Sequence, residues 1–319
     1  MTPVALIMDV DTGVDDALSL LFAVRHPDID LRAVTCVTGN APVDQVVRNT
    51  LYVLDAAGAG DIPVAKGASR PLLVDPDHAG HVHGADGLGG FSRPSDRRVV
   101  PYPAVELLRR QLMSAIGNGE RVTLVPSAPQ TNIALLLRLH PEVAPGIERI
   151  LFMGGSAGSG NATAAAEFNI WHDPEAAAIT LRAAGELDIP VTMYGLDVFE
   201  EVRIGRTDAE PLRRSTDPGT QLAGGLLDFA CTVFDDDSAT IGDAGTVCAV
   251  VDPEGLTTRP FPVQVELAPG ISRGQTLVDR RGWSGDHQFD PNPLRGTTID
   301  VALAVDADRY ATLWLDTIR

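Results

Sequence analysis

Short apolar runs alternate with stretches of helical periodicity along most of this chain, and that order leaves few folds open. Val4 to Met8 reads as a buried strand, and Ala17 to Val24 as the helix after it. Leu31 to Val37 and Val43 to Ala57 repeat the pair, as do Val122 to Val125 with Thr131 to Leu139. Ile150 to Met153 precedes a helix over Pro174 to Ala184, and Pro190 to Tyr194 reads as a further strand. This alternation predicts an α/β fold, a doubly wound, mostly parallel sheet with helices on both faces. At 319 residues and 44% hydrophobic content, residues 1–319 are expected to form a single domain around a sizeable core. No internal repeat or low-complexity linker interrupts it. The stretches 66–103, 200–237 and 270–293 read as long loops, rich in Gly, Pro, His and Asp or mixed and polar.

The first strand-to-helix turn carries the densest chemistry. Asp9, Asp11, Asp15 and Asp16 fall within eight residues, in MDVDTGVDDA. Ligands of open α/β sheets bind at the carboxyl ends of strands, where this turn lies. An Asp at a helix start is a good cap and suits the helix dipole, which accounts for Asp15 or Asp16 alone. It does not account for Asp9 and Asp11 as well. Crowded carboxylates repel by about 1 kcal/mol per pair in water, and more where water is excluded. A hard divalent cation with oxygen ligands, Ca²⁺ or Mg²⁺, relieves that repulsion.

Bulk charge narrows the partners. The formal net charge is −18, which argues against nucleic-acid and anionic-membrane binding. No apolar run approaches the roughly 20 residues that span a bilayer. Cys36, Cys231 and Cys248 are scattered and odd in number, without disulfide or zinc spacing. With no signal-type segment in the first residues, the expected compartment is the reducing cytoplasm.

Further motifs follow the other strands. Gly39 permits a tight turn that presents the Asn40 amide. The glycines of HGADGLGG, which opens at His83, let a loop fold against a ligand. Thr131, in APQTN, reads as a helix cap or as a carbonyl ligand for a hard cation. Met153-Gly154-Gly155 ends a strand, and Asn161 lies beyond it. In AEFNIWHDPEAA, Asp173 with Pro174 reads as the cap and first residue of a helix. Glu167 and Asn169 stand two residues apart before it, and in an extended segment they share a face. Polar side chains on one face suit recognition of vicinal hydroxyls.

Together these pieces resemble the calcium-dependent, inosine-uridine type of the nucleoside hydrolase family. They run in the family's order, from DVDTGVDDA at residue 9 to GDAGTVCAVVDP ending at residue 253, with a weaker echo at Arg273-Gly274. The resemblance implies hydrolysis of a ribonucleoside to ribose and free base. It implies a Ca²⁺ held by Asp11, Asp16, the Thr131 carbonyl and Asp243, with Asp11 also the general base on a bound water. Asp15, Asn169 and Asp243 would hold the 2′- and 3′-hydroxyls. Asn161 and Glu167 would hold the 5′ end, with Met153, Asn40 and His83 nearby and Asp9 in support. The implied partners are a small-molecule nucleoside and other copies of the chain, as a homodimer or homotetramer. An acidic pocket suits such a reaction, because the sugar ring gains positive charge in its oxocarbenium-like transition state.

The chain departs from the family at one point that bears on catalysis. Many members carry His, and others Trp, immediately before the second metal Asp, to protonate or stack on the departing base. Here that position is Gly242, and Ala244 stands where Pro is common. His83, His287, Trp283 and Tyr194 are the substitutes within the chain. Two other readings compete. One is a catalytically weakened ribose- or nucleoside-binding protein of the same fold. The other is a haloacid-dehalogenase-type phosphatase, suggested by Asp9-Val10-Asp11-Thr12. That chemistry needs a downstream lysine, and Lys66 is the only lysine.

Overall fold

The computed structural model describes residues 2–282 and 296–319. Eleven strands run through the described residues in chain order. They are β1 (Val4–Val10), β2 (Ile29–Cys36), β3 (Val64–Lys66), β4 (Val122–Pro126), β5 (Ile147–Met153) and β6 (Val191–Tyr194), then β7 (Arg203–Gly205), β8 (Ser238–Thr240), β9 (Leu256–Val265), β10 (Thr276–Val278) and β11 (Thr297–Val305). Nine of them form one sheet in the order β10-β9-β11-β6-β5-β4-β1-β2-β3, and β7 pairs antiparallel with β8 outside it. From β3 to β11 every pairing is parallel. Within this sheet only β9 runs against the others, so its pairings with β11 and with the edge strand β10 are antiparallel. The α/β expectation therefore holds.

The strands are apolar because both faces of the sheet are covered. Along β1 the side chains alternate. Leu6, Met8 and Val10 join a core with Leu18, Leu21, Phe22, Leu226 and Trp314. Ile7 joins the opposite core with Leu107, Leu124, Ile133 and Phe152. Burying each such side chain fully stabilises the fold by about 1.5–3 kcal/mol before chain entropy is counted. The first predicted helix extends over Val14–Arg25, and its successors form at Val43–Ala56, Thr131–Leu139 and Pro174–Glu186.

From β1 the chain winds through β2 to β3, then returns to β4 on the other side of β1 and continues to β5 and β6. The carboxyl ends of β1 and β4 are thus the topological switch point, the usual crevice for ligands in open α/β sheets. Asp9 pairs in register with Pro126 there, and the Ser127 N–H donates to the Asp9 carbonyl. Asp9 lies inside β1 rather than in the turn after it, so its side chain is held by the sheet.

Two expected loops carry regular structure. Residues 200–237 hold two helices, Arg206–Arg213 and Pro218–Val233. The segment from residue 270 onward contributes the edge strand β10. The stretch 66–103 is mainly irregular, with one short helix at Gly80–His83. Among the described residues no helix is long and apolar enough to cross a membrane.

Candidate active site

Two helices meet at this crevice, and their packing joins residues more than 220 positions apart. The helix Asp243–Val251 lies against Val14–Arg25. Each carries acids in its first turn, Asp15 and Asp16 on one and Asp243 on the other. Carboxylate oxygens of Asp15, Asp16 and Asp243 lie within 4.8 Å of one another. The positive ends of two helix dipoles favour negative charge at that point.

Asp11, Asp16 and Asp9 are held by uncharged donors. The Asp11 carboxylate accepts the Asn40 backbone N–H (2.7 Å) and the Asn40 side-chain amide (3.2 Å). Asp16 accepts the Gly13 N–H (2.9 Å), which fixes the helix start, and the Ser127 hydroxyl (3.1 Å). Asp9 accepts the Thr35 hydroxyl (2.6 Å) and the Asn132 amide (2.8 Å) through Oδ1, while its buried Oδ2 has no partner. Asp15 is at the rim, its side chain 21% exposed. Burial raises Asp9 and Asp16 to about 7, with charge on Asp15 adding to the effect at Asp16. Burial, then the charge on Asp16, pushes Asp11 well above the usual carboxylate range. Burial, then charge on Asp15, Asp16 and Asp11, does the same to Asp243.

The structure also places the remaining predicted residues. His83 is buried, and its Nδ1 accepts the Val14 N–H at 3.1 Å. That bond occupies the Nδ1 lone pair, so the proton of the neutral ring is on Nε2. Burial pushes the His83 pKa down. The Asp15 carboxylate, 3.8 Å from Nδ1, therefore faces an uncharged ring rather than an ion-pair partner. The glycine-rich loop after His83 turns on the Asp86 carboxylate, which accepts the Leu88, Gly90 and Ser92 N–H groups.

Glu167 and Asn169 do not lie on an extended segment. Glu167 caps the short helix Phe168–His172 and accepts the Asn169, Ile170 and Gly155 N–H groups. Burial raises its pKa to about 7. The Asn169 amide donates toward the Ser127 carbonyl and the Met153 carbonyl and sulfur, each at 3.3 Å. Asn161 is exposed, and its side-chain oxygen accepts the Phe168 N–H at 2.9 Å. Thr131 is the first residue of its helix, and its hydroxyl donates to Asp173 at 2.6 Å rather than capping. Asp173 caps the next helix, as the sequence predicts.

Of the substitutes for a side chain at 242, His83 touches the acid cluster directly. Tyr194 is buried at the end of β6, its hydroxyl seated under Gly245 without a hydrogen-bond partner. His287 and Trp283 lie outside the described residues. Lys66 is exposed and paired with Asp44 at 2.6 Å, on the surface at the end of β3.

Several supporting residues carry no signal of their own in the sequence. Ser127 and Thr35 are single hydroxyls in or beside apolar runs. Only the adjacency of β1 to β4 and β2 turns them toward Asp16 and Asp9.

The donor set fits a hard divalent cation. It is all oxygen, two of its three acids are buried, and charge on Asp15 raises both Asp16 and Asp243. The convergent trio includes Asp15 and leaves out Asp11, whose two oxygens are turned to Asn40. A linkage consequence follows. Asp9, Asp16 and Glu167, at about 7, bind protons more tightly folded than at their ordinary 3.8 to 4.5. The stability they contribute is complete below about pH 4 and lost as pH rises through about 7. Cation-free protein is expected to melt higher at about pH 5 than at about pH 8 from these groups. An added divalent cation is expected to raise Tm more at the higher pH, because binding needs ionised carboxylates. A net 1 kcal/mol corresponds to roughly 2 °C or more in a chain of this size. A cation-induced shift of equal size at both pH values would remove Asp16 from the cation site.

Comparison with known proteins agrees with this geometry. The family profile described as inosine-uridine preferring nucleoside hydrolase matches residues 6–312. The pyrimidine-specific ribonucleoside hydrolase RihA of Shewanella baltica is 38% identical over 322 aligned positions, covering 98% of this chain and 96% of that protein. RihA of Citrobacter koseri is 40% identical, covering 95% and 94%. Among solved structures, the plant nucleoside hydrolase PpNRh1 superposes with a TM-score of 0.89 at 31% identity, covering 99% of both chains. The purine-preferring ribonucleoside hydrolase from Gardnerella vaginalis gives 0.86 at 30% identity, covering 98% of both. With the profile, the relatives and the sheet order in agreement, the chain belongs to the nucleoside hydrolase family, enzymes that cleave ribonucleosides to ribose and free base.

Proposed function

We propose that this protein, acting as one domain over its whole length, hydrolyses the N-glycosidic bond of ribonucleosides with Ca²⁺ in the acid cluster. The observation that carries this is the convergence of Asp15, Asp16 and Asp243, beside Asp11, at the switch point of the sheet. Asp11, Asp16, Asp243 and the Thr131 carbonyl would hold the ion. When bound, it lowers the pKa of a water at the site and fixes its approach to C1′.

The chain's own residues do the rest. Asp11, oriented by two bonds from Asn40, takes a proton from the attacking water. The water oxygen bonds to C1′ as the C1′–N bond breaks, and the electron pair leaves with the base, which takes up a proton from solvent while Asp11 returns the water's proton to solvent. The surrounding carboxylates favour the positively charged sugar ring of the transition state over the neutral ground state. Asp15, Asn169 and Asp243 hold the 2′- and 3′-hydroxyls, and Glu167 with Asn161 the 5′ end. Asn169 is suited to this because its amide N–H group is anchored on Ser127 and Met153, which leaves its oxygen to accept a hydroxyl.

The relatives named above as pyrimidine-specific support uridine and cytidine as the preferred substrates. Buried free thiols fit a reducing cytoplasm, and a homodimer or homotetramer is the proposed assembly. Reducing-sugar release from purine and pyrimidine ribonucleosides, with Ca²⁺ and again after chelation, tests the proposal. Calcium-dependent release with uridine and cytidine ahead of inosine is the expected result. No release, with ribose and calcium still binding by calorimetry, would favour a binding protein of the same fold instead.

A further inference from the structure

Gly242 caps the helix that begins with Asp243, and its backbone lies at φ +53° and ψ −117°. Side chains rarely adopt that conformation. A Cβ there would also lie 2.8 Å from the Asp15 Cβ and 2.8 Å from the Phe199 Cζ. The space a side chain at 242 would enter is therefore taken by the ring of Phe199. Phe199 ends the short helix Leu196–Phe199, which follows β6, and its ring is half-buried. One hydroxyl fixes the two positions together. Thr240 Oγ1 donates to the Phe199 carbonyl (2.8 Å) and accepts the Gly242 N–H (3.1 Å).

This gives the acid cluster an aromatic wall at the Asp15 edge. The groups that line the rest of the cluster are carboxylates, amides, a hydroxyl and an imidazole, which suit a polyhydroxyl sugar. A nucleoside has one part that is flat, aromatic and without hydroxyls. A carbon-only ring offers that part contact area and excludes water beside Asp15 without supplying or accepting a proton.

We propose that Phe199 is the base-contacting, specificity-determining residue of this site, its ring packing against the departing base where Gly242 provides no side chain. This rests on the nucleoside reading above. Because the ring acts by contact alone, it discriminates among bases by stacking area and fit.

The test compares wild type with Phe199→Leu, which keeps an apolar side chain of similar bulk, and Phe199→Ala. Each is assayed for kcat/KM on uridine, cytidine and inosine, and for competitive inhibition by D-ribose, which has no base. Thermal melts establish that each variant is folded. A lost base–aromatic stack corresponds to roughly a ten- to hundred-fold fall in nucleoside kcat/KM. That fall is expected to differ between uridine and inosine, while ribose inhibition moves less than about three-fold. An unchanged uridine-to-inosine ratio would overturn the proposal. So would a loss of ribose inhibition in proportion to nucleoside turnover, which would make Phe199 a mere support for Asp15 and Asp243. Wild-type protein that releases ribose from no nucleoside would overturn the nucleoside reading and this inference with it. Wild-type turnover with an unmoved ratio would overturn this inference alone.

Discussion

Asp11→Ala is expected to reduce ribose release by at least about 10²–10⁴-fold, the usual range for loss of a positioned general base. The same change should weaken divalent-cation binding, because Asp11 adjoins Asp16 and adds to the negative charge there. Stability should respond differently. Removing the carboxylate strands the Asn40 N–H and amide donors, at a cost of about 1–3 kcal/mol if they remain buried and unpaired. It also removes one of the like charges that raise Asp243. These terms oppose each other, so cation-free Tm should change little while the cation-induced rise in Tm shrinks. Asp11→Asn separates the two roles. It keeps an oxygen for the Asn40 donors, yet it cannot take a proton from water at neutral pH. Assays of turnover and melts with titrated calcium read both effects. Full turnover in Asp11→Ala would remove this residue from the mechanism.

The legible part of this molecule was the part where local sequence and fold impose the same demand. The apolar runs of β1, β2, β4 and β5 are buried on both faces, so they read as strands without tertiary knowledge. The crowding of Asp11, Asp15 and Asp16 about one strand-to-helix turn was legible because carboxylates so close together repel. Asp173-Pro174 was legible as cap chemistry. Harder elements failed for identifiable reasons. Arg206–Arg213 contains Pro211 and very few apolar residues, and Pro218–Val233 carries Gly224 and Gly225, so neither looks helical by composition. Those glycines admit close neighbours, the ring of Phe91 at Gly225 and the backbone of Arg213 at Gly224. Glu167 is an uncommon cap, and its spacing from Asn169 suits a strand face as well as a helix start. Ser127, Thr35 and Phe199 act across pairings that no local window contains. Phe199 and Gly242 are 43 positions apart, and each alone is an ordinary residue, one ending a short helix and the other in the turn before a helix.

The placement of Asp11 is tested apart from its presence by Gly39→Ala. A Cβ on Gly39 would lie 1.9 Å from Asp11 Oδ2, 2.7 Å from its Cγ and 2.9 Å from its Cβ. Rotating the carboxylate relieves the first two contacts but not the third, so the turn that carries Asn40 must shift as well. Asn40 holds Asp11 through both its backbone and its side chain, and a moved turn takes that hold away. Every acid of the cluster remains, so a divalent cation should still bind through Asp16 and Asp243, with a smaller loss than in Asp11→Ala. Turnover should not survive as well. Displacing a catalytic group by about 1 Å costs on the order of 10²-fold, and the same loss in kcat is expected here. The fold tolerates the change better than the chemistry does, because Gly39 has no left-handed backbone conformation to lose and the strain falls on one turn. Calcium titration by calorimetry beside steady-state kinetics on uridine checks the split. Equal losses in calcium affinity and turnover would mean that Gly39 supports the whole cluster. Loss of turnover alone would locate the effect at Asp11 and show that the reaction depends on where this one carboxylate points.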